Sequence, residues 1–481
     1  MPSPLRSPRL RRILAAYTIN RLGNWIGYVA LSLAVFDHTH SALAVSAVLV
    51  AGQALPAFLV PAVVARIESS RRRSTLSGLY FFEALATAGL AVLLWHFWLP
   101  ALLLLAAVDG TAGLAASALL RAELARSARI QVETELAAAA GEPGTAFRVA
   151  SALEGGAAPG ASAAPLIPAV EAMPAALPAQ PPRAEGVAAE GPAAEAIHEA
   201  ERKANAALNI AFSVTFVLGP AIGGAMVAAA GASAALFIDV GSFLVCGALL
   251  VGLYPHIEEG AETSVRARLR AAWRHINEAP SLRALLLVEA VALVFAESAG
   301  PVEVAYAKVT LQVGDGGFGL LVGSWGAGAV LGSVVFARSL SRPLGVLLST
   351  GTLAVGLAYV GFAVAPSLWF ACGAALIGGV GNGVELPSLT SIVQRLTPKH
   401  LHARMMAAVE SIVALCVAVG LPLGGALVAL TSPRAAFAVV GLGAAATTPL
   451  LLMLSLRGAA AAERSEQPAA SGRPAQQPGS S

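Results

Sequence analysis

Residues 207–254, ALNIAFSVTFVLGPAIGGAMVAAAGASAALFIDVGSFLVCGALLVGLY, decide the fold class. They hold two apolar runs, 207–230 and 234–254, parted by a few small residues. Crossing a bilayer as a helix takes about 20 apolar residues, and each run is of that length. Working outward, runs of the same kind recur at 13–36, 42–65, 75–96 and 99–120 before this stretch. They follow it at 282–307, 317–338, 344–364, 367–394, 404–430 and 434–456. The expected architecture is an all-α membrane protein of twelve transmembrane helices in two six-helix pseudo-repeats, numbered helices 1 to 12 in chain order. Composition agrees, with 57% hydrophobic and 12% charged residues, against about 45–50% and about 25% in soluble domains.

The Lys and Arg residues test the count, because alternating loops of a correctly counted bundle collect them on the cytoplasmic side. With the N-terminus inside, all but three of the 31 basic residues fall on that side. The exceptions are Arg21 within helix 1, Lys308 and Arg434. Both termini are therefore expected in the cytoplasm. A slide of 201 residues places Gly219 on Gly420 and the pair Gly223-Gly224 on Gly424-Gly425, so helices 5 and 6 repeat as helices 11 and 12.

The domain plan follows. Residues 1–129 carry helices 1–4, 205–256 carry helices 5–6, 257–281 form a central cytoplasmic loop, and 282–457 carry helices 7–12. Residues 130–204, rich in Ala, Pro, Glu and Gly, read as a disordered cytoplasmic insertion, and 458–481 as a disordered tail. The N-terminus is expected to be an uncleaved anchor. Cys246, Cys372 and Cys416 each sit in an apolar run and read as small buried hydrophobes. No cofactor, metal site, nucleophile with its base, or Walker motif is expected, so neither enzyme chemistry nor ATP-driven transport is implied. Nucleic acid is not implied as a partner.

Three stretches carry a family resemblance: RLGNWIGYVALSLAVFDHTHSALAV, ANAALNIAFSVTFVLGPAIGG and GVGNGVELPSLTSIVQRLTPKHLHARMMAAVESI. They resemble the drug and siderophore exporters of the major facilitator superfamily, the branch with enterobactin exporters and macrolide efflux proteins. In the loop between helices 2 and 3, Arg66 and Arg71 to Arg73 match the family's gating motif. Pro61 stands where it has glycine and Ala65 where it has aspartate. The resemblance implies a monomeric, multi-pass efflux antiporter of the bacterial plasma membrane that exchanges a small-molecule substrate for protons and has lipid around it. It also implies that helices 1, 4, 7 and 10 line a central cavity while 3, 6, 9 and 12 are peripheral.

An ionisable side chain at membrane depth costs about 2.5–3.5 kcal/mol on insertion scales and is a functional candidate by default. Asp109, Glu297 and Glu289 are the candidates for proton coupling, since burial favours the neutral form of a carboxyl and lets it exchange protons near neutral pH. Arg21 is read as the partner of a cavity carboxylate, Asp109 first. Asn20, Asn24, Asn382 and Glu385 add polar cavity lining. Asp239 and Glu410 fall close to a membrane face and read as interfacial carboxylates, and Glu83 lies in a peripheral helix. Arg66, Arg71, Gly219, Pro220, Gly223, Gly224 and Pro422 are candidates for gating and helix bending. The runs GSWGAGAVLG and GGVGNG read as close helix packing rather than a nucleotide fingerprint, and Gly314 to Gly319 as a loop. The expected function is proton-coupled export of small amphipathic molecules by alternating access. The alternatives are an importer, or a degenerate member acting as a membrane scaffold or sensor through its insertion.

Overall fold

A computed structural model of the chain describes residues 7–69, 75–139, 192–253, 265–398 and 401–466. Most of the 130–204 insertion, the 458–481 tail after Glu466, and Arg71 to Arg73 lie outside the described residues. Helix 1 is Pro8–Thr39, and helix 2 runs through Ala42–Leu49, Val50–Ala54 and Leu55–Ser69. Helices 3 to 6 are Thr75–Leu93, Leu99–Ala139, Pro192–Ala230 and Ala232–Leu250. A linker helix, Val265–Glu278, precedes helix 7, which runs through Pro280–Glu297, Ala299–Ala305 and Tyr306–Thr310. Helices 8 to 12 are Asp315–Arg338, Leu344–Val364, Leu368–Arg395, His402–Leu430 and Pro433–Glu466.

Among the described residues, ten of these are long and apolar enough to cross a membrane. Helices 1 and 10 have the length, 32 and 28 residues, but carry Asn20, Arg21, Asn24, Asn382 and Glu385 in their apolar stretches. They are the spans with most to hide from lipid. Helix 4 has 41 residues and helix 5 has 39, so each is roughly 60 Å long at 1.5 Å per residue. A hydrocarbon core is about 30 Å thick, so both helices run well past it, into segments the composition assigns to the insertion. Leu124, Ala128, Ala204 and Leu208 bury the base of this projection.

The two halves pack alike. Helix 1 packs on helices 5 and 6 as helix 7 packs on 11 and 12, and helix 3 packs on 6 as helix 9 packs on 12. The seams between the halves are helix 5 on helix 8 and helix 2 on helix 11, which a two-fold axis exchanges. The shared glycines show the repeat in space. Gly219 and Gly223 back onto Trp25 and Ile26 of helix 1, as Gly420 and Gly424 back onto Glu297 and Ser298 of helix 7. Gly224 then meets helix 8 at Gly319, as Gly425 meets helix 2 at Leu43.

Three prolines shape the helices by what they cannot donate. A helical proline leaves the carbonyl four residues earlier without its N–H. Pro56 does this to Gly52, inside the widened turn Val50–Ala54, and Gly110 of helix 4 closes on that carbonyl. Pro220 does it to Phe216, whose carbonyl Gly326 of helix 8 approaches. Pro301 does it to Glu297, and there helix 7, expected as one uninterrupted span, breaks at Ser298. The expected loop from Gly314 to Gly319 is shorter: helix 8 starts at Asp315 with Gly314 as its N-cap. Gly328 and Gly332 pack on Gly379 and Gly383 of helix 10, backbone against backbone, as the packing reading of both glycine runs requires.

The face bearing the starts of helices 1 and 7 and the end of helix 12 is the terminal face. On the far side, one apolar core joins the halves, with Val29, Leu33 and Val48 against Val304, Phe318 and Leu421. Ser46 of helix 2 donates to the Leu421 carbonyl at 2.8 Å. Toward the terminal face the cores separate. Leu10, Ile13, Leu120 and Leu208 belong to a core of the N-terminal half that meets helix 8 at Ala329, and Leu285, Leu348, Val393 and Leu451 to a separate core of the C-terminal half.

Lys308 at the end of helix 7 pairs at 2.9 Å with Asp37 of helix 1 and also with Asp315 of helix 8, tying the halves at the far face. These groups are partly solvated, so the tie is worth about 1 kcal/mol. Lys308→Ala is expected to shift the population toward a far-face-open form by about fivefold. Labelling of a cysteine placed at Leu421 by a far-side reagent would report it, and unchanged labelling would contradict this role.

Candidate functional site

The site begins where helix 7 breaks. Glu297 and Glu303 stand on either side of Ser298, close enough for each to feel the other's charge. Tyr28 of helix 1 and Tyr359 of helix 9 lie within reach of both carboxyls. The Tyr359 hydroxyl donates to the Ala296 carbonyl at 3.3 Å, just before the break. Aromatic rings extend the site into both halves. Trp25 lies 5.7 Å from Tyr28 and 5.0 Å from Phe216, and Phe216 stacks on Phe212 at 5.6 Å. In the other half Trp325 stacks on Tyr359 at 5.2 Å, beside the helix 5 to helix 8 seam. Arg21 lies over the Phe212 ring, 4.9 Å from its centre.

The carboxyls expected in the cavity separate into three places. Glu297 is partly exposed and belongs to the aromatic site. Asp109 accepts from Thr87 of helix 3 at 2.6 Å, and its charge is felt by Asp239 of helix 6. The hydrogen bond described at Asp109 is thus from Thr87, and Arg21, expected beside a cavity carboxylate, also lies over the Phe212 ring. Glu289 of helix 7 and Glu385 of helix 10 are buried close enough for their charges to interact, and Thr352 of helix 9 donates to Glu385 at 2.9 Å. Two carboxyls side by side in a buried space repel when both are ionised.

Several placements correct the sequence reading. Asn20 is 0% exposed, not a lining residue: it donates to Tyr80 and Ser117 and accepts from Asn24, knitting helices 1, 3 and 4. Asn24 and Asn382 remain partly exposed. Glu385 is buried between helices rather than facing a cavity. Asp239 is not interfacial but 3% exposed, seated against Gly23 and Gly27 of helix 1 and bonded by Ser242 at 3.0 Å. Glu83, placed in the periphery, is buried against Gly113 of helix 4. The spacing Gly23-x-x-x-Gly27 was the available signal for the Asp239 seat, since two glycines a turn apart open a groove on a helix. Arg66 is exposed at the terminal face. Gly219, Pro220, Gly223 and Gly224 lie at the seams described above, and Pro422 lies within helix 11 beside Leu421, whose carbonyl binds Ser46. The three cysteines are buried and unbridged.

Comparison with known proteins gives the arrangement its relatives. Residues 186–475 match the profile of the transmembrane secretion effector family of the major facilitator superfamily. The multidrug efflux pump Tap of Mycolicibacterium fortuitum is 26% identical over 270 residues, covering 52% of this chain and 61% of Tap, so the match spans under two thirds of that pump. A transporter of the POT family in complex with 5-aminolevulinic acid superposes with a TM-score of 0.60 at 11% identity, covering 93% of this chain and 96% of that one. A bacterial homologue of the iron transporter ferroportin, in an inward-facing state, gives 0.60 at 15% identity, covering 95% and 99%. These two likenesses establish the fold, and the family match over most of the chain establishes descent: the chain belongs to the transmembrane secretion effector family and is a membrane transporter of the major facilitator type.

Proposed function

We propose that this transporter is a proton-coupled exporter of small amphipathic molecules, cationic or neutral, working by alternating access in a bacterial inner membrane. Both termini lie in the cytoplasm, and the monomer is the working unit. The observation that carries this reading is the pair Glu297 and Glu303 at the break of helix 7, with Tyr28 of one half and Tyr359 of the other near both and a tryptophan packed on each tyrosine. A flat apolar cation suits such a site, since aromatic faces attract cations and a carboxylate supplies the opposite charge. The same carboxyl can bind a proton or the cation, so each displaces the other, and that competition is antiport. The similarity to a multidrug pump supports export over import.

The far-face closure and the separated cores at the terminal face support a cytoplasm-facing state of the cycle. The Glu289–Glu385 pair carries a second proton-dependent step. Ionising both of its carboxyls puts two like charges in the buried space between helices 7 and 10, which pushes those helices apart. Asp109, beside Asp239, places a similar group in the other half.

Efflux of a panel of amphipathic dyes from a pump-deficient host, with and without a proton uncoupler, tests the proposal. Dye exclusion that collapses on uncoupling is expected, and exclusion indifferent to it overturns the coupling. Glu385→Gln leaves Glu289 as the one ionisable member, so the pair can no longer carry two like charges. It is expected to slow proton-driven efflux by about tenfold, the scale of one lost coupling contact, while dye binding stays near wild type. Undiminished efflux would return Glu385 to a purely structural role.

A further inference from the structure

We propose that the linker helix Val265–Glu278 is a docking surface for anionic phospholipid headgroups at the terminal face. Its sequence, VRARLRAAWRHINE, is basic and carries one tryptophan. Ala272 and Ile276, a turn apart, are buried in a core with Leu282, Met405 and Ala408, so one side of the helix is fixed to the C-terminal half. The His275 ring adds a 3.3 Å hydrogen bond to the Leu396 carbonyl between helices 10 and 11.

The other side is free. Arg270, Trp273, Arg274 and Asn277 are spaced i, i+3, i+4 and i+7, which sets them on one face, and all four are exposed, Trp273 to 45%. Arg283 in the first turn of helix 7 is exposed as well. None of these three arginines forms an ion pair with a described residue. The acidic neighbour is Glu278, exposed at the end of the linker helix.

Position selects the occupant. Ala279 alone separates the linker helix from helix 7, so the basic face lies at the level where that span begins. Guanidinium forks match phosphate oxygens two at a time, and tryptophan favours the headgroup layer over bulk water. A free phosphate would use the arginines but leave the exposed indole without a role. A bound headgroup anchors the start of helix 7, the element that carries Glu289, Glu297 and Glu303. The inference rests on the membrane fold and not on the direction or coupling of transport.

The test uses the full chain in nanodiscs of phosphatidylcholine with and without phosphatidylglycerol, and reads by native mass spectrometry how many phosphatidylglycerol molecules stay bound. Wild type is expected to retain phosphatidylglycerol. Each arginine near a charged surface contributes about fivefold to binding, so Arg270→Gln with Arg274→Gln is expected to weaken retention by about twenty-five-fold. Trp273→Ala, which leaves the charges in place, is expected to weaken it less. Millimolar inorganic phosphate should not compete. Equal retention by wild type and the double variant overturns the proposal, and so does displacement of the lipid by phosphate. A double variant that elutes as wild type and binds dye as wild type shows that the loss belongs to the surface and not to misfolding.

Discussion

Glu297→Gln is expected to cut efflux driven by a pH gradient by at least about tenfold, while exchange of labelled for unlabelled neutral substrate continues. The amide keeps the size and hydrogen-bonding shape of the acid but can neither ionise nor release a proton. Coupling energies in allosteric and transport systems are typically about 1–3 kcal/mol, or roughly 5- to 150-fold, and Glu297 is the carboxyl best placed to carry one here. It stands at a helix break, partly exposed, among aromatic rings from both halves. Glu303→Gln is expected to act in the same direction but to weaken cation binding more. Vesicles with Glu297→Gln that keep full dependence on the pH gradient would remove this residue from the coupling path.

The second large effect is structural. Gly328→Leu is expected to abolish recovery of folded protein, because a side chain there meets the Leu376 carbonyl and the Gly379 backbone of helix 10. Overpacking costs about 1–3 kcal/mol when side chains can adjust. Backbone cannot adjust without parting the helices, so the cost here is expected to exceed about 3 kcal/mol. Size-exclusion recovery after detergent extraction measures it, and a monodisperse peak at wild-type yield would contradict the packing account. Gly316→Leu, at a position where an added side chain meets open space, serves as the control.

The membrane architecture was legible because it rests on long-range averages: run length, hydropathy and the sidedness of basic residues. The exceptions to that sidedness were legible as exceptions but not as parts. Arg434 caps the end of helix 9 through the carbonyls of Ala363 and Ala365, Lys308 ties three helices at the far face, and Arg21 stacks on Phe212. Each role needs a partner from a distant part of the chain, which no local pattern announces. The glycine repeat was legible and survives in space, because each glycine marks a helix contact that the two-fold axis duplicates.

The site was legible in its residue types and less so in its geometry. Glu297 and Glu289 stood out by charge in an apolar run, yet no local pattern sets Glu289 beside Glu385 of another helix. Asp239 lies early in helix 6, where a carboxylate ordinarily reaches the headgroups, but helix 1 offers a groove at Gly23 and Gly27 that takes it inward. The break in helix 7 follows from Pro301, whose missing N–H falls at Glu297. A proline in an apolar span is common enough that only the structure shows this one interrupting the helix beside Glu297.

The central claim is that proton movement drives an amphipathic substrate out through the site at Glu297. The most direct measurement places the purified chain in sealed vesicles and follows a fluorescent cationic dye as a pH gradient is imposed. Dye is expected to accumulate in the acidic compartment, and an uncoupler or Glu297→Gln is expected to abolish that accumulation. Accumulation of equal rate and extent with no gradient, or with the gradient reversed, would contradict it.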